Sequence, residues 1–471
     1  MIDSIQKVSL YKNEKFFFWL CCLLAQFSFL TNVGLPYVAE EPVYTLGALE
    51  MVQNSDWISP TVFGANYARP PLMNWLIIPF ANLFGWDHSL VVTRLIAGLS
   101  TLVLSFVLMG FVQRVFKNKN LALFSAIVFF SWDVLFRRGW LAYADPLFSL
   151  FVFGAIASVW IAVEEERLDF LALALTCVIA SFLTKALTGY VFYGITVCVL
   201  FYRSANRRFL LRPSSIILHL GSLVFLLVWT QWISRGNHGP GMIVDIVTKL
   251  NMASLWQYIK KISFFPIDTF LRWLPASGLL VLFFWQNMRQ KQTLPSLKDQ
   301  ALVTLLWIFG LNYLVYWVAP QSHFRYLMPL FPLIAIILAH FIWQLGHAKV
   351  KLTVIAVFVV VVARYIAGFW TFPFYDEKHQ GNYENIAKEI LEITRDKPLY
   401  TEDTTAKGLI IGAYICMQKL PEPTIKRVPN QDVDAFILSD NPGNLPNAKV
   451  KKVYQIGKSR LYVMCNRGAC N

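Results

Sequence analysis

The residues best suited to chemistry cluster directly after the first long apolar segment. Glu40 and Glu41 stand near the start of a loop that spans about residues 34–89, and Arg69 follows in the same loop, before a pair of prolines. Carboxylates near a membrane core cost free energy unless they are paired or solvated, so their presence here predicts a functional role. A solvated helix end is the alternative interpretation of the two glutamates.

Asp145 is the next acidic candidate. It directly precedes Pro146 at the start of a long apolar segment. This pattern predicts a helix start with the aspartate as N-cap, a role that is compatible with function. Glu50 and Asp56, by contrast, fit a predicted interfacial helix over 43–54 and its end, so we expect both to be structural.

Three basic residues occupy comparable positions. Prolines fix the backbone that follows Arg69, while Lys185 and Arg325 each stand at one end of an apolar segment. A single cation at a helix end often reaches toward lipid headgroups and does nothing else. Three cations on one face, opposite two acidic positions, favour an anionic lipid phosphate as ligand.

The composition predicts a multi-pass membrane protein. Of 471 residues, 56% are hydrophobic and 15% charged, whereas a soluble domain carries about a quarter charged residues. The net charge of +14 falls mostly in short loops and not in a stripe with aromatic residues, which argues against nucleic acid as a partner. The seven cysteines form no CxxC pair or Cys/His cluster, so no zinc or redox site is predicted.

Eleven apolar segments are long enough to cross a membrane, and up to two more broken spans bring the expectation to about eleven to thirteen. We list the segments by number: 16–35, 90–113, 120–136, 145–163, 168–184, 186–202, 214–233, 270–287, 300–318, 326–345 and 350–370. The shorter run 72–85 is expected to lie at the membrane interface.

Lysine and arginine set the expected orientation. With the N-terminus in the cytoplasm, the inner loops carry the larger share of basic residues, which is the bias that sets topology. The candidate residues and the C-terminus are then expected on the outer side of the membrane. A membrane module over 1–371 and a soluble α/β domain outside the membrane over 372–471 are the predicted units. Cys465 and Cys470 are close enough in sequence for a disulfide, but two free thiols are the slightly favoured alternative.

Several of these motifs resemble those of the GT-C type membrane glycosyltransferases, in particular the bacterial 4-amino-4-deoxyarabinose lipid A transferases and the protein mannosyltransferases. The resemblance covers roughly 35–335, with its most specific part in the first loop. The motifs are Glu40-Glu41-x-x-Tyr44, Tyr67-x-Arg69-Pro70-Pro71-Leu72, Ala144-Asp145-Pro146, Leu183-Thr184-Lys185 and Arg325-Tyr326-Leu327-Met328-Pro329.

The chain departs from the family pattern at four positions. Glu40 stands where the family has Asp, and Arg69 where it usually has Lys. Val43 replaces an arginine that is expected to bind phosphate, and Ala186 replaces a glycine. These departures leave the sugar and the acceptor open.

The resemblance implies a GT-C fold and transfer of a sugar from a polyprenyl-phosphate carrier to a lipid, glycan or protein acceptor. It also implies a location in the bacterial inner membrane, with the N-terminus in the cytoplasm and the candidate residues and the C-terminal domain on the periplasmic side. Glu40 or Asp145 would be the catalytic base, and Arg69, Lys185 and Arg325 would bind the donor phosphate. Glu41, Tyr44 and Tyr67 would support the first loop. No cofactor is required by the pattern, although a divalent metal is compatible with it. A transporter or flippase for a lipid-linked or anionic substrate, and a scaffold without activity, are the alternatives.

Overall fold

The computed structural model describes residues 12–67, 69–132, 139, 141–185, 187–235, 254–374, 382–395, 397–429, 433–457 and 459–470. Ala186, named above, and the N-terminal residues 1–11 lie outside these ranges. The described helices are α1 (Lys12–Phe27), α2 (Pro42–Asn54), α3 (Leu72–Phe84), α4 (Ser89–Phe116), α5 (Lys119–Phe130), α6 (Asp145–Glu165), α7 (Leu168–Thr184), α8 (Thr188–Arg203), α9 (Pro213–Arg235), α10 (Leu255–Arg272), α11 (Ala276–Arg289), α12 (Gln300–Val318), α13 (Phe331–Gln344), α14 (His347–Ile366), α15 (Tyr383–Thr394) and α16 (Ala406–Gln418).

Each predicted apolar segment contains part of a helix, but the helices differ in length. Within the described residues, seven helical segments are long and apolar enough to cross a membrane, and α10 with α11, bent by 90°, adds an eighth if the pair is one span. Helices α5, α7 and α8 have only 12, 17 and 16 residues. These shorter helices account for most of the difference from the predicted eleven to thirteen spans. The run 72–85 forms helix α3.

Two helices form the centre of the membrane module. In the spans that contain α6 and α13, 89% of the apolar window is buried inside the protein, whereas in the span of α9 only 11% is buried. Helix α6 packs against α4, α7 and α8, and α13 packs against α5. The start of α6, where Asp145 lies, is therefore fixed by neighbours on several sides.

The helix predicted over 43–54 is confirmed as α2. Pro42 occupies its first turn, where the missing backbone N–H costs nothing, and Ser55 ends it in the left-handed conformation with φ of 54°. A short hairpin follows, with antiparallel strands β1 (Thr61–Val62) and β2 (Ala65–Asn66). The hairpin leads directly to Tyr67 and Arg69.

The C-terminal residues form the predicted small domain with strands and helices. Its sheet contains β3 (Leu399–Thr401), β4 (Lys426–Arg427), β5 (Phe436–Ser439), β6 (Lys449–Ile456) and β7 (Ser459–Cys465) in the order β4-β3-β5-β7-β6. Strand β3 is parallel to β4 and β5, and β7 is antiparallel to β5 and β6. A disulfide joins Cys465 to Cys470, which decides the alternative that the sequence left open.

The core of this domain extends into the first loop. Val43 and Leu46 of α2 and Phe63 of the hairpin belong to the same buried cluster as Ile390 and Ile411. The domain is thus packed against the segment that carries the candidate site, not attached by its linker alone.

Candidate active site

One pocket brings together residues from five separate parts of the chain. Its volume is about 290 Å³ including the space open to solvent. It is lined by Glu40, Tyr44, Tyr67, Arg69, Tyr143, Asp145, Lys185 and Arg325. Every site residue named from the sequence lies here except Glu41, and Tyr143 is the addition that the sequence reasoning missed.

Asp145 and Lys185 form a buried ion pair in this pocket. Their side chains are only 6% and 11% exposed, and the ammonium group donates a hydrogen bond to the carboxylate. Asp145 is the first residue of α6, whereas the N-cap is Ala144, so the sequence-based N-cap interpretation is wrong. The side chain turns to the cation that follows α7 instead of capping its own helix. The Lys185 ammonium also lies 5.1 Å from the ring centre of Tyr326.

Two arginines supply the other positive charges of the pocket. The Arg69 guanidinium lies 5.8 Å from the ring centre of Tyr67, which is near enough for a cation–π interaction. Burial lowers the pKa of Arg69. The neighbouring Tyr44, Tyr67 and Asp145 raise this pKa by more, so that it lies above its ordinary value and the side chain stays cationic. The buried Nε of Arg325 has no hydrogen-bond partner among the described residues.

Glu40 is the carboxylate that remains available. Its side chain is exposed, and its backbone N–H donates to the Tyr143 hydroxyl at 3.2 Å. Within the part of the chain that the structure describes, its carboxylate accepts no hydrogen bond. Burial raises the pKa of Tyr44, so this neighbouring phenol keeps its proton and can donate a hydrogen bond into the pocket.

Glu41 lies outside the pocket, in a buried ion pair. Its carboxylate and the Arg94 guanidinium are both 0% exposed and pair with Nη2–Oε2 and Nε–Oε1 distances of 2.5 and 2.9 Å. Glu41 also accepts from the backbone N–H groups of Val38 and Ala142, each at 2.7 Å. Arg94 donates in turn to backbone carbonyls of the segment that follows α1, including Val33 at 3.1 Å. An arginine within an apolar helix indicates a buried partner, but the sequence does not show which carboxylate it meets.

The remaining acidic residues of the loop are structural, as expected. Asp56 accepts backbone hydrogen bonds from Ile58 and Ser59 at 3.0 and 3.1 Å just after α2. Glu50 is 1% exposed and holds the hairpin. Val43, the substituted phosphate-ligand position, is packed in the core shared with the C-terminal domain and does not line the pocket.

No three His, Cys, Asp or Glu side chains lie together in a way that could hold a metal ion among the described residues. The two acidic pocket side chains, Glu40 and Asp145, are accompanied by three cations. The pocket therefore has a net formal charge of +1 and suits a small anion.

Sequence comparisons relate part of the chain to known proteins. Residues 68–234 match the family model described as dolichyl-phosphate-mannose-protein mannosyltransferase. Over 349 residues the chain is 24% identical to undecaprenyl phosphate-alpha-4-amino-4-deoxy-L-arabinose arabinosyl transferase 1 of Proteus mirabilis. That alignment covers 70% of this chain and 59% of the relative, so the chain spans less than two thirds of that protein's length.

The solved structures extend the similarity to nearly the whole chain. ArnT from Cupriavidus metallidurans, bound to undecaprenyl phosphate, matches with a TM-score of 0.67 at 13% identity over 96% of this chain and 98% of that one. The chain has the GT-C fold. An Archaeoglobus fulgidus oligosaccharyltransferase tethered with an acceptor peptide also matches, with a TM-score of 0.54 at 11% identity over 96% of this chain and 74% of that one. The predicted fold class and the predicted resemblance are confirmed.

The loss of one partner of the Glu41–Arg94 pair should strongly destabilise the protein. Glu41→Gln leaves the Arg94 guanidinium buried without a counter-charge, which costs about 3–5 kcal/mol. Glu165→Gln is the matched control, because the Arg114–Glu165 pair is also bidentate but 36–38% exposed and such pairs contribute about 0–1 kcal/mol. Thermal unfolding of both variants in the same detergent should show a far larger fall in the midpoint for Glu41→Gln. Equal shifts would contradict the role given to this pair.

Proposed function

We propose that the protein is an integral-membrane glycosyltransferase that transfers a sugar from a polyprenyl-phosphate-linked donor to a lipid, glycan or protein acceptor. The observation that supports this most is the pocket of three cations and two carboxylates beside helices with the length and composition of membrane spans. A donor whose hydrocarbon chain stays in the bilayer can present its phosphate only at such a position.

Arg69 and Arg325 are proposed as the main phosphate ligands. Lys185 forms a direct ion pair with Asp145, whereas neither guanidinium group forms one with a carboxylate among the described residues, and Asp145 acts on both arginines only at longer range. A sugar linked through a phosphodiester carries one negative charge, and the released polyprenyl phosphate carries up to two. Cations that strengthen their interaction as this charge develops lower the barrier for departure. Lys185 can contribute as a third phosphate ligand by giving up part of its contact with Asp145.

Glu40 is the better candidate for the general base. In the proposed step the acceptor hydroxyl oxygen forms a bond to the sugar's C1, the bond from C1 to the phosphate oxygen breaks, and the hydroxyl proton passes to Glu40. Asp145 is buried and paired with Lys185, which stabilises its ionised form and orients the ammonium group. We therefore assign proton transfer to Glu40 and ligand positioning to Asp145.

The finer specificity is also a proposal. The undecaprenyl phosphate-aminoarabinose named for the relatives is the first donor to test, and lipid A the first acceptor, with protein as the second. Mass spectrometry of envelope lipids, glycans and glycoproteins from a deletion strain would identify the product that disappears. We also propose that the pocket and the C-terminal domain lie on the periplasmic side, because this orientation places the larger share of lysine and arginine in the cytoplasmic loops.

Removal of the Arg69 or the Arg325 guanidinium group should weaken donor binding. Arg69→Ala and Arg325→Ala should each raise the dissociation constant for polyprenyl phosphate by roughly 10- to 100-fold, the loss of one charge-assisted contact. Lys185→Ala should also weaken binding and should additionally leave Asp145 unpaired, so its thermal stability should fall as well. Arg460→Ala, an exposed arginine outside the pocket, is the control. Wild-type affinity in Arg69→Ala would refute the assigned phosphate role.

Substitution of the two pocket carboxylates tests whether the protein is an enzyme, as opposed to a transporter or a scaffold. Glu40→Gln cannot accept the proton and should reduce transfer by about 10²–10⁴-fold while donor affinity stays near wild type. Glu40→Asp restores the family residue and retains activity if the backbone has the family geometry. Asp145→Asn should also be inactive, but with altered donor affinity because Lys185 loses its partner.

Transfer is measured as the product that each variant forms when it is expressed in the deletion strain, with protein amounts matched. Glu389→Gln, an exposed carboxylate of the C-terminal domain that pairs with Lys452, is the control. Full activity of both amide variants would exclude the proposed catalytic roles and favour the transporter alternative.

A further inference from the structure

The hairpin before the pocket contains an unusual turn. Phe63 and Gly64, between β1 and β2, have φ of 55° and 71°. Glycine or asparagine adopts this left-handed conformation readily, whereas a bulky residue pays a conformational cost. A phenylalanine at such a position needs compensating interactions from the surrounding structure.

The C-terminal domain supplies those interactions. The Phe63 side chain is 1% exposed and belongs to the core of that domain. A Cβ atom added at Gly412 of α16 would lie 2.5 Å from the phenyl ring, so only glycine leaves room for it. The backbone N–H of Arg427 in edge strand β4 donates to the Phe63 carbonyl at 2.8 Å.

Glu50 completes this contact as a buried carboxylate. It accepts hydrogen bonds from the backbone N–H groups of Phe63 and Gly64 at 2.7 and 3.0 Å and from the Thr61 hydroxyl at 2.5 Å. It also accepts from the Thr424 hydroxyl of the C-terminal domain at 3.1 Å. One carboxylate thus joins helix α2, the turn of the hairpin and the domain.

The hairpin connects the buried Phe63 turn to the pocket. Strand β2 ends at Asn66, and the next residue, Tyr67, donates its backbone N–H to Pro60 at 3.0 Å and packs against the same core as Phe63. The Arg69 backbone N–H donates to the Tyr67 carbonyl at 2.6 Å, and its guanidinium lies against the Tyr67 ring.

We propose that the C-terminal domain positions the phosphate-binding arginine, with Phe63 as the positioning residue. The proposal rests on the proposed function, because it gives Arg69 the donor phosphate as ligand. Phe63 itself does not line the pocket. Its replacement should therefore change donor affinity and leave the chemical step at saturating donor largely intact.

The test compares two equally buried phenylalanines in the full-length protein. Phe63→Ala should weaken polyprenyl phosphate binding by roughly tenfold, raise the donor KM by a similar factor and leave kcat within about twofold. Phe283→Ala removes a 0% exposed ring of the membrane core, so it should lower thermal stability but leave donor affinity unchanged. Gly412→Ala, which presses on the Phe63 ring without removing it, should weaken binding in the same direction.

Amide hydrogen exchange provides a readout that needs no ligand. Exchange over residues 61–69 should become faster in Phe63→Ala and not in Phe283→Ala. Unchanged donor affinity in Phe63→Ala and Gly412→Ala, or equal loss in Phe283→Ala, would overturn the positioning role. A wild-type protein that fails to bind polyprenyl phosphate would instead overturn the proposed function, and the exchange pattern would still decide whether the domain positions this segment.

Discussion

The buried ion pair of Glu41 and Arg94 is the interaction on which the rest of the site depends. It joins the segment that follows α1, the start of α2, the second turn of α4 and the backbone at Ala142, three residues before Asp145. A buried pair of this kind adds little net stability over an apolar contact, but the loss of one partner is costly. The pair therefore fixes the position of the segment that carries Glu40 relative to the segment that carries Asp145.

This constraint divides the acidic residues into anchored and available groups. Glu41 and Glu50 are fully occupied by buried donors, and Asp145 is held by Lys185. Glu40, one residue from the anchor, remains exposed at the edge of the pocket. A base must reach the proton that it accepts, so the available carboxylate and not the buried ones suits that task. Adjacent residues in one motif thus have opposite physical roles.

Much of this arrangement could be predicted from the sequence. Apolar segment lengths identified the helices, and the expected topology placed residues of distant loops such as Arg69, Lys185 and Arg325 on one face, where the structure shows them in one pocket. The partner of Glu41 and the contact of Phe63 with Gly412 could not be predicted, because both depend on tertiary packing. Local patterns describe helix ends and spans, but they carry no information about which distant side chain meets which.

The most direct test of the central claim is a structure of the protein with polyprenyl phosphate bound, determined in a lipid nanodisc. The account predicts that the phosphate lies in the pocket within hydrogen-bonding distance of the Arg69 and Arg325 guanidinium groups, with Glu40 facing the open side and the prenyl chain along the membrane helices. A phosphate bound elsewhere, with the Arg69 side chain turned away from it, would contradict the account.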